Sequence, residues 1–424
     1  MTKIHLNFIT LLLSGVFAAY AAALSFSKEI DNHEYPIKRP YIATLTSMNL
    51  SNSGYAFVQE SRSRWIRMDE ERPAYRYTYW KNEKISALAV CVPGFNGSCR
   101  DTTTANLAKV FYLKGYSVVQ VSSPMKWTFV QSVSSAPAPG YIPENSQDLR
   151  LLISRIIQSL EEEENRQFTF KTLTGLSLGA INTLFIADHE RKDPLIGFDH
   201  YYAINPPVSI QETFIRLDEI YADSLRYLRS LGPDQWNESL SFLKIYEMFQ
   251  PSSQEIQIDL MPEEAALAVG YSLKRGVAEF IVFSQEQLDM GVLSNHSSFF
   301  RKQEVYNEAY QMTLHDYARD VVFRYYQEYR QDPAFKSKKF EDLLYEASLL
   351  AIEDTLANSK SYTLFHTQDD PLISPQSVQF LRETVPDEQL YLYRYGGHLG
   401  VLLDRQFKND FYDAIQSFNR FIIQ

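Results

Sequence analysis

Apolar residues are spaced along the first half of the chain in a way that predicts alternating strands and helices. Unbroken apolar runs are typical of buried parallel strands, and apolar residues recurring every three or four positions predict helices between them. The predicted strands are 75–80, 85–92, 117–122, 168–174 and 201–205, and the predicted helices are about 102–114, about 145–163 and the segment after 179. This alternation predicts a mostly parallel, doubly wound α/β sheet with helices on both faces. Strand-like pieces before residue 84 are expected to pair antiparallel at one edge of it.

The alternation stops between 206 and 360. Segments 210–231 and 306–329 carry apolar and aromatic residues at helical intervals with charged residues between them, which predicts amphipathic helices. Two further apolar strands follow, at 362–366 and 390–395. The pattern therefore predicts a sheet whose two parts are separated by a mainly helical insertion.

The N-terminal residues have the composition of a leader. Lys3, an apolar stretch over 8–24 and three alanines before Leu24 predict a secretory signal peptide cleaved near Ala23. An uncleaved membrane anchor is the alternative, because this stretch is at the short end of what spans a bilayer. We expect an exported protein, periplasmic or secreted, or one anchored by this segment. The predicted parts of the chain are the signal peptide 1–23, the core 24–205, the helical insertion 206–360 and the second part of the core 361–424.

Composition excludes several classes of partner and cofactor. The chain has 41 Lys and Arg against 52 Asp and Glu, a net charge of −11, and so lacks the basic character of a nucleic-acid-binding protein. Its two cysteines and scattered histidines have no zinc-ligand spacing, and no phosphate-binding glycine loop is present, so no metal or cofactor is expected. No segment after the leader resembles a membrane span, and nothing indicates a protein partner. Cys91 and Cys99 are expected either to form a local disulfide or to remain free thiols.

A candidate nucleophile lies at the junction of a predicted strand and a predicted helix. The stretch Leu-Thr-Gly-Leu-Ser-Leu-Gly-Ala at 173–180 places Ser177 there. A serine in such a sharp turn is exposed, and small residues two positions to either side let the strand and the helix pack closely. The backbone N–H of Leu178 begins the helix and is expected to point at an oxyanion. The alternative is a glycine-rich turn with an incidental serine.

Two strand ends downstream carry the partners that a nucleophilic serine needs, in the order serine, acid, histidine. Strand 362–366 runs into a loop with Asp369 and Asp370. Strand 390–395 leads to His398, and glycines on both sides let its loop turn the imidazole towards the sheet. Of the other histidines only His366 is a rival, but it precedes the acid. We therefore expect Ser177 to act with His398 and one of the two carboxylates.

These motifs resemble those of the α/β-hydrolases. The loop at 366–375 is similar to the acid loop of that family, in a register that favours Asp370 over Asp369. The Pro-Gly-Phe-Asn-Gly segment at 93–97 corresponds to the family's first oxyanion loop, which implies a backbone N–H donor at Phe95. The resemblance implies an α/β-hydrolase sheet, and the residues implied for its site are catalytic Ser177, Asp370 and His398, with Phe95 and Leu178 as the oxyanion hole.

Substrate-binding residues are less clearly indicated. Trp127 and Phe129 follow the strand at 117–122, at a place where they could wall a substrate pocket or pack beneath the insertion. In many α/β-hydrolases an insertion at the place of 206–360 forms a cap over the active site. A structural subdomain or a dimer surface is the alternative role for it.

Together, the residues and the resemblance predict an exported serine hydrolase. It would cleave an acyl ester or thioester through an acyl-enzyme intermediate. The same site chemistry serves peptidases and amidases, which are the first alternative. The second is a non-catalytic protein of this fold whose insertion binds a partner, and the intact set of Ser177, Asp370 and His398 weighs against it.

Overall fold

A nine-stranded sheet runs through the part of the chain that the computed structural model describes, which is residues 28–47, 51–248, 260–294 and 302–422. The predicted signal peptide at 1–23 lies outside these residues. The strands are β1 (Lys28–Ile30), β2 (Arg62–Ile66), β3 (Tyr75–Trp80), β4 (Ala87–Val92), β5 (Ser117–Gln120), β6 (Phe170–Leu176), β7 (His200–Ile204), β8 (Tyr362–Thr367) and β9 (Leu390–Tyr393). Their spatial order is β1-β9-β8-β7-β6-β4-β5-β3-β2.

Most neighbouring strands are parallel. Every pair from β1 across to β5 is parallel, whereas β3 pairs antiparallel with both β5 and β2. The mostly parallel sheet that the alternating pattern predicted is therefore confirmed.

Helices connect the strands and fill the long segment between β7 and β8. They are α1 (Pro40–Thr46), α2 (Ser51–Gln59), α3 (Thr102–Leu113), α4 (Trp127–Ser132), α5 (Ile142–Glu164), α6 (Leu178–Lys192), α7 (Ile210–Ser230), α8 (Glu238–Met248), α9 (Pro262–Leu288), α10 (Lys302–Ala309), α11 (Leu314–Asp316), α12 (Phe340–Glu346), α13 (Glu353–Asn358), α14 (Pro375–Thr384) and α15 (Arg405–Ile422). Two π-helical stretches (Tyr317–Phe323, Tyr325–Tyr329) continue α11, and short 3-10 turns occur at Pro333–Phe335, Leu349–Ile352 and Gly400–Leu403.

The sheet is covered on both faces because alternate residues of its central strands enter two separate cores. On β4, Leu88 and Val90 pack with apolar residues of α5 and α6. Ala89 and Cys91 face the other way and pack with residues of α3 and α15. All six residues of β4 are buried, as expected of a parallel strand with helices on both sides.

The N-terminal segment does not lie wholly at the antiparallel edge where the sequence placed it. β2 and β3 do form that edge, but β1 pairs parallel with β9 at the opposite edge. The Asn32 side chain accounts for this, because its amide exchanges two hydrogen bonds of 2.9 Å with the backbone of Tyr395. Pro40 then starts α1, since its fixed φ suits the first turn of a helix.

The two cysteines are free and buried. The side chain of Cys91 belongs to the core beneath α3 and α15. The backbone N–H of Cys99 donates a hydrogen bond of 2.9 Å to the hydroxyl of Ser122. Of the two states that the sequence allowed, the structure therefore has the free thiols.

The segment between β7 and β8 packs on the core through α7 and α9. These two helices approach so closely that a Cβ on Gly270 would lie 2.8 Å from the Cβ of Tyr221. α9 also packs against α1, and α12 packs against α7. Among the described residues, no helix combines the length and apolar character needed to cross a membrane.

We predict that Gly179→Ala destabilises the protein far more than Gly197→Ala. A Cβ on Gly179 would lie 2.4 Å from the carbonyl oxygen of Val92 and 2.5 Å from that of Pro93, and backbone atoms at such distances must move apart. A Cβ on Gly197 would meet nothing within 4 Å and would add only the strain of its positive φ of +67°. Urea unfolding should give losses of about 3 kcal/mol and about 1 kcal/mol. Equal losses would contradict this packing.

Candidate active site

The chain order reverses on either side of β4. The next strand, β5, lies on one side of β4, and β6 lies on the other. Open α/β sheets bind ligands at the carboxyl ends of the strands at such a reversal. Here the loop 93–97 leaves β4 and Ser177 follows β6. A Cβ on Gly94 would lie 3.3 Å from the Cβ of Ser177, so the loop and the serine are in direct contact.

Ser177 has a backbone conformation that is rare for a residue with a side chain. Its φ is +52° and its ψ is −118°, and its N–H donates to the carbonyl of Ile204 in β7 at 2.9 Å. The turn is tight, because a Cβ on Gly175 would lie 2.1 Å from the carbonyl oxygen of Gly179. Strain of this kind costs about 1–3 kcal/mol and is found mainly at functional sites. The motif's two glycines thus have the close-packing role that the sequence predicted.

The structure brings Ser177, His398 and Asp370 together in one series of hydrogen bonds. The Oγ of Ser177 lies 2.8 Å from Nε2 of His398, and Nδ1 of His398 lies 2.8 Å from Oδ2 of Asp370. A carboxylate can only accept, so Nδ1 carries the proton and Nε2 is left to accept from the serine hydroxyl. This arrangement can take a proton from Ser177 as its oxygen attacks a substrate.

Asp370 is the acid that contacts the histidine, and it is fully buried. Its Oδ2 also accepts from Nδ2 of Asn205 at 3.0 Å, and its Oδ1 accepts from the backbone N–H of Leu372 at 2.9 Å. Burial alone would raise the pKa of this carboxyl, but the charge and hydrogen bond of His398 outweigh it and hold the pKa at about 2. Asp370 is therefore ionised at neutral pH and fixes the orientation of the imidazole.

Asp369 has a different role. Its Oδ1 accepts from the N–H of Gly397 at 2.8 Å, and its Oδ2 accepts from that of Gly396 at 3.2 Å. Burial raises the pKa of Asp369 to about 6, against the lowering effect of these two amides. Asp369 thus braces the loop that carries His398, and the imidazole itself bonds to Asp370.

His366, the other histidine near the acid loop, is a core residue. Its Nδ1 accepts from the N–H of Thr367 at 2.9 Å, and its Nε2 donates to the carbonyl of Pro206 at 3.0 Å. Burial lowers the pKa of His366, which keeps the ring neutral. The ring therefore ties β8 to the end of β7.

Phe95 and Leu178 lie beside Ser177 and line the same cavity. Within the described residues, neither backbone N–H donates to a protein acceptor. Leu178 is the first residue of α6, where an unpaired N–H carries the positive end of the helix. The Phe95 ring rests on α9, because a Cβ on Gly276 would lie 2.4 Å from it. The two N–H groups are thus available to an oxyanion.

Ser177 and His398 open into a cavity of about 440 Å³. Its walls come from α1, the loop 93–97, α7, α9, α12 and the π-helical stretch that continues α11. Of the described residues that line it, none is a lysine, an arginine or a glutamate. Most of the lining residues are apolar. Those that the segment between β7 and β8 supplies include Leu217, Val269, Leu273, Val277, Ala318 and Leu344.

Trp127 and Phe129 do not line this cavity, contrary to the expectation that they wall the substrate pocket. Both belong to α4 rather than to a loop. Phe129 is fully buried against Tyr75 of β3, with ring centroids 6.1 Å apart. Trp127 packs on Phe280 and Phe283 of α9. Both rings therefore contribute to the core beneath the insertion, the other role that the sequence allowed them.

Sequence reasoning missed two residues that support the histidine and its acid. Asn205 directly follows β7 and holds Asp370, and Thr44 of α1 accepts a hydrogen bond from the backbone N–H of His398 at 2.9 Å. The positive φ of Asn205, +47°, is unusual for a residue with a side chain. Its place at the end of the predicted strand 201–205 was the one signal for it, whereas no local pattern marked Thr44.

No model of a known protein family matches the chain, and no curated protein matches it. Solved structures similar to it include a bacterial membrane phospholipase A, at 12% identity over 98% of this chain and 99% of that one with a TM-score of 0.40. An esterase from Pyrococcus furiosus has 11% identity over 85% and 90%, with a TM-score of 0.39. A soluble variant of monoglyceride lipase from Saccharomyces cerevisiae has 13% identity over 85% and 96%, with a TM-score of 0.40.

We predict that Asp369 makes the folded state more stable as the pH falls. Its pKa is about 6 in the folded protein and near the ordinary value of about 3.9 in the unfolded chain, so the folded state binds an extra proton between these values. From about pH 7.5 to about pH 4.5, the wild type should therefore gain about 2 kcal/mol of unfolding free energy relative to Asp369→Asn. Urea unfolding of both proteins across this range measures the difference. Parallel pH curves would contradict the raised pKa.

Proposed function

We propose that the chain is a serine hydrolase of the α/β-hydrolase fold that cleaves an ester or thioester of an apolar acyl group. One observation carries this proposal: the hydrogen-bonded series of Ser177, His398 and Asp370 opens onto a cavity with mostly apolar walls. The chain order of nucleophile, acid and histidine is also that of this fold's hydrolases.

Acyl transfer would proceed in two steps at Ser177. Its Oγ attacks the acyl carbon while its proton passes to Nε2 of His398, and a tetrahedral oxyanion forms. His398 returns the proton to the leaving oxygen or sulfur, and the acyl group remains on Ser177. Water then attacks the acyl-enzyme with His398 again as the base, which releases the acid and restores the serine. Asp370 stays ionised throughout and holds the imidazole in place.

Phe95 and Leu178 would stabilise the oxyanion through their backbone N–H groups. Each donor of this kind is worth about 3 kcal/mol in a well-studied protease. The two donors belong to the 93–97 loop and to the start of α6, which are in contact at Gly94 and Ser177. Such preorganised donors stabilise the transition state without a cost of reorganisation during the reaction.

The lining of the cavity favours an apolar acyl group over a charged one. Lysine and arginine are missing among its described lining residues, so a substrate carboxylate would find no partner there. Burying an apolar chain instead contributes about 0.8 kcal/mol for each CH₂ group. The apolar residues that α7, α9 and α12 supply fit a hydrocarbon chain.

A peptidase or amidase fits this lining less well. An aminopeptidase would need an acidic side chain to bind the substrate ammonium, and Asp101 is the one candidate among the described lining residues besides Asp370. Asp101, however, is occupied as the cap of α3, where its Oδ1 accepts from the N–H of Thr104 at 2.7 Å. Burial also raises the pKa of Asp101, which disfavours its charged form. These features weigh against an aminopeptidase.

We also propose that the enzyme acts outside the cytoplasm, either released into the periplasm or medium or anchored at its N-terminus. The leader pattern at 1–23 supports this. Determining the N-terminal residue of the protein purified from its native cell envelope or medium tests it. A start after Ala23 supports release, an intact leader in the membrane fraction supports anchoring, and an intact leader in the cytoplasm contradicts both.

We predict that Ser177→Ala lowers ester turnover at least about a thousandfold and that Asp370→Asn lowers it by up to about ten thousandfold. The first change removes the nucleophile, and the second removes the charge that orients His398. The measurement is hydrolysis of p-nitrophenyl esters. Asp199→Asn is the matched control, because Asp199 is exposed and bonds to the backbone of Lys171 at the opposite end of the sheet. Turnover retained by Ser177→Ala would contradict the proposed function.

We predict that longer acyl chains are preferred until the cavity is full. Each added CH₂ group should raise kcat/KM by about fourfold, because burying it contributes about 0.8 kcal/mol. Leu273→Trp fills part of the cavity and should penalise long chains more than acetate. Leu288→Trp, on the same helix but away from the cavity, should leave the ratio unchanged. A chain-length profile that neither substitution alters would contradict acyl binding in this cavity.

A further inference from the structure

The histidine of the site is held differently from the serine and the acid. Ser177 follows β6 and Asp370 follows β8. Each of these strands lies between two strands that are themselves paired on both sides. His398 lies beyond β9, next to the edge of the sheet, on a loop with two glycines before it. Its position relative to Ser177 therefore depends on what packs against that loop, and the residues that do so are at 28–47.

β1 and Asn32, two residues beyond it, fix the chain where it leaves β9. The N–H of Arg394 donates to the carbonyl of Ile30 at 3.0 Å, which extends the parallel pairing of β1 with β9. Asn32 then bonds to both the N–H and the carbonyl of Tyr395. Its Nδ2 also donates to Oδ2 of Asp404 at 2.7 Å, beyond the histidine. One side chain thus ties together the two ends of the loop.

α1 contacts the histidine itself. The backbone N–H of His398 donates to Oγ1 of Thr44 at 2.9 Å. The same hydroxyl donates to the carbonyl of Pro40 at 2.7 Å, so its proton points away and its lone pair faces His398. Thr44 is therefore oriented by its own helix to receive this hydrogen bond.

The loop follows the surface of α1 without room for movement towards it. A Cβ on Gly397 would lie 2.3 Å from the carbonyl oxygen of Pro40, and a Cβ on Gly400 would lie 2.1 Å from that of Ala43. The hydroxyl of Tyr35 donates to the carbonyl of Gly400 at 3.0 Å. Residues on either side of His398 are thus held against backbone atoms of one helix.

We propose that residues 28–47 form a clamp that sets the position of His398, with Thr44 as its positioning residue. For its effect on turnover this proposal rests on the proposed function; its effect on the loop rests on the contacts alone. The distance of 2.8 Å between Nε2 of His398 and Oγ of Ser177 is maintained from outside the core of the sheet. A small displacement of a reacting group is enough to slow a reaction considerably. The segment that follows the predicted leader is thus part of the active site.

Three substitutions in the full chain test the clamp. Thr44→Val removes the hydroxyl at nearly constant volume, and Thr44→Ser keeps it. Thr172→Val is the matched control, since Thr172 donates a buried hydrogen bond of 2.8 Å to the carbonyl of His200 at the far end of β6. The measurements are kcat and KM on a p-nitrophenyl ester, and hydrogen–deuterium exchange of the segment 396–399.

Thr44→Val should lower kcat about tenfold at unchanged KM and should speed exchange at 396–399, while Thr44→Ser and Thr172→Val stay close to the wild type. Faster exchange with no esterase activity even in the wild type would support the clamp and contradict the proposed function. Unchanged exchange and kcat in Thr44→Val would overturn the clamp. So would a change in KM alone, because Thr44 would then be only a wall of the cavity.

Discussion

The site depends on the close crossing of α6 over the carboxyl end of β4. At Gly179 no side-chain atom separates the helix from the carbonyl oxygens of Val92 and Pro93. Because of this approach, the loop with Phe95 and the turn with Ser177 lie side by side, and Phe95, Ser177 and Leu178 all line one cavity. A bulkier residue at the crossing would move the loop with Phe95 away from Ser177 even if Ser177, His398 and Asp370 were all kept.

The two neighbouring carboxylates are both largely buried, but their different partners shift their pKa values in opposite directions. Asp370 has His398 as its partner, so its pKa is about 2 despite complete burial. Asp369 has only the amides of Gly396 and Gly397, and its pKa is about 6. Asp370 thus keeps the charge that orients the imidazole over the whole neutral pH range, while Asp369, a weaker acid, holds the loop that carries the imidazole. Adjacent residues in the sequence therefore act on the same histidine in two ways: Asp370 bonds to its ring, and Asp369 holds the two glycines that precede it.

The sequence predicted the features that depend on local patterns. Buried strands, the turn at Ser177 and the order of the three motifs follow from apolar periodicity and from glycines that a tight turn requires. It did not predict contacts between distant segments. β1 pairs with β9, where Asn32 bonds to the backbone of Tyr395. Trp127 packs on aromatic residues of α9 and does not line the cavity. No periodicity encodes such long-range pairings, and for this reason the support that Thr44 gives to His398 had no signature in the sequence.

The most direct test of the account is to identify the residue that a fluorophosphonate modifies. The probe reacts with a serine only when a base activates its hydroxyl and N–H donors stabilise the charge that develops on oxygen. Mass spectrometry of the digested protein should locate a single adduct on Ser177, and Ser177→Ala should carry none. An adduct on another serine, or a folded wild type that does not react, would contradict the claim that Ser177, His398 and Asp370 form a working catalytic site.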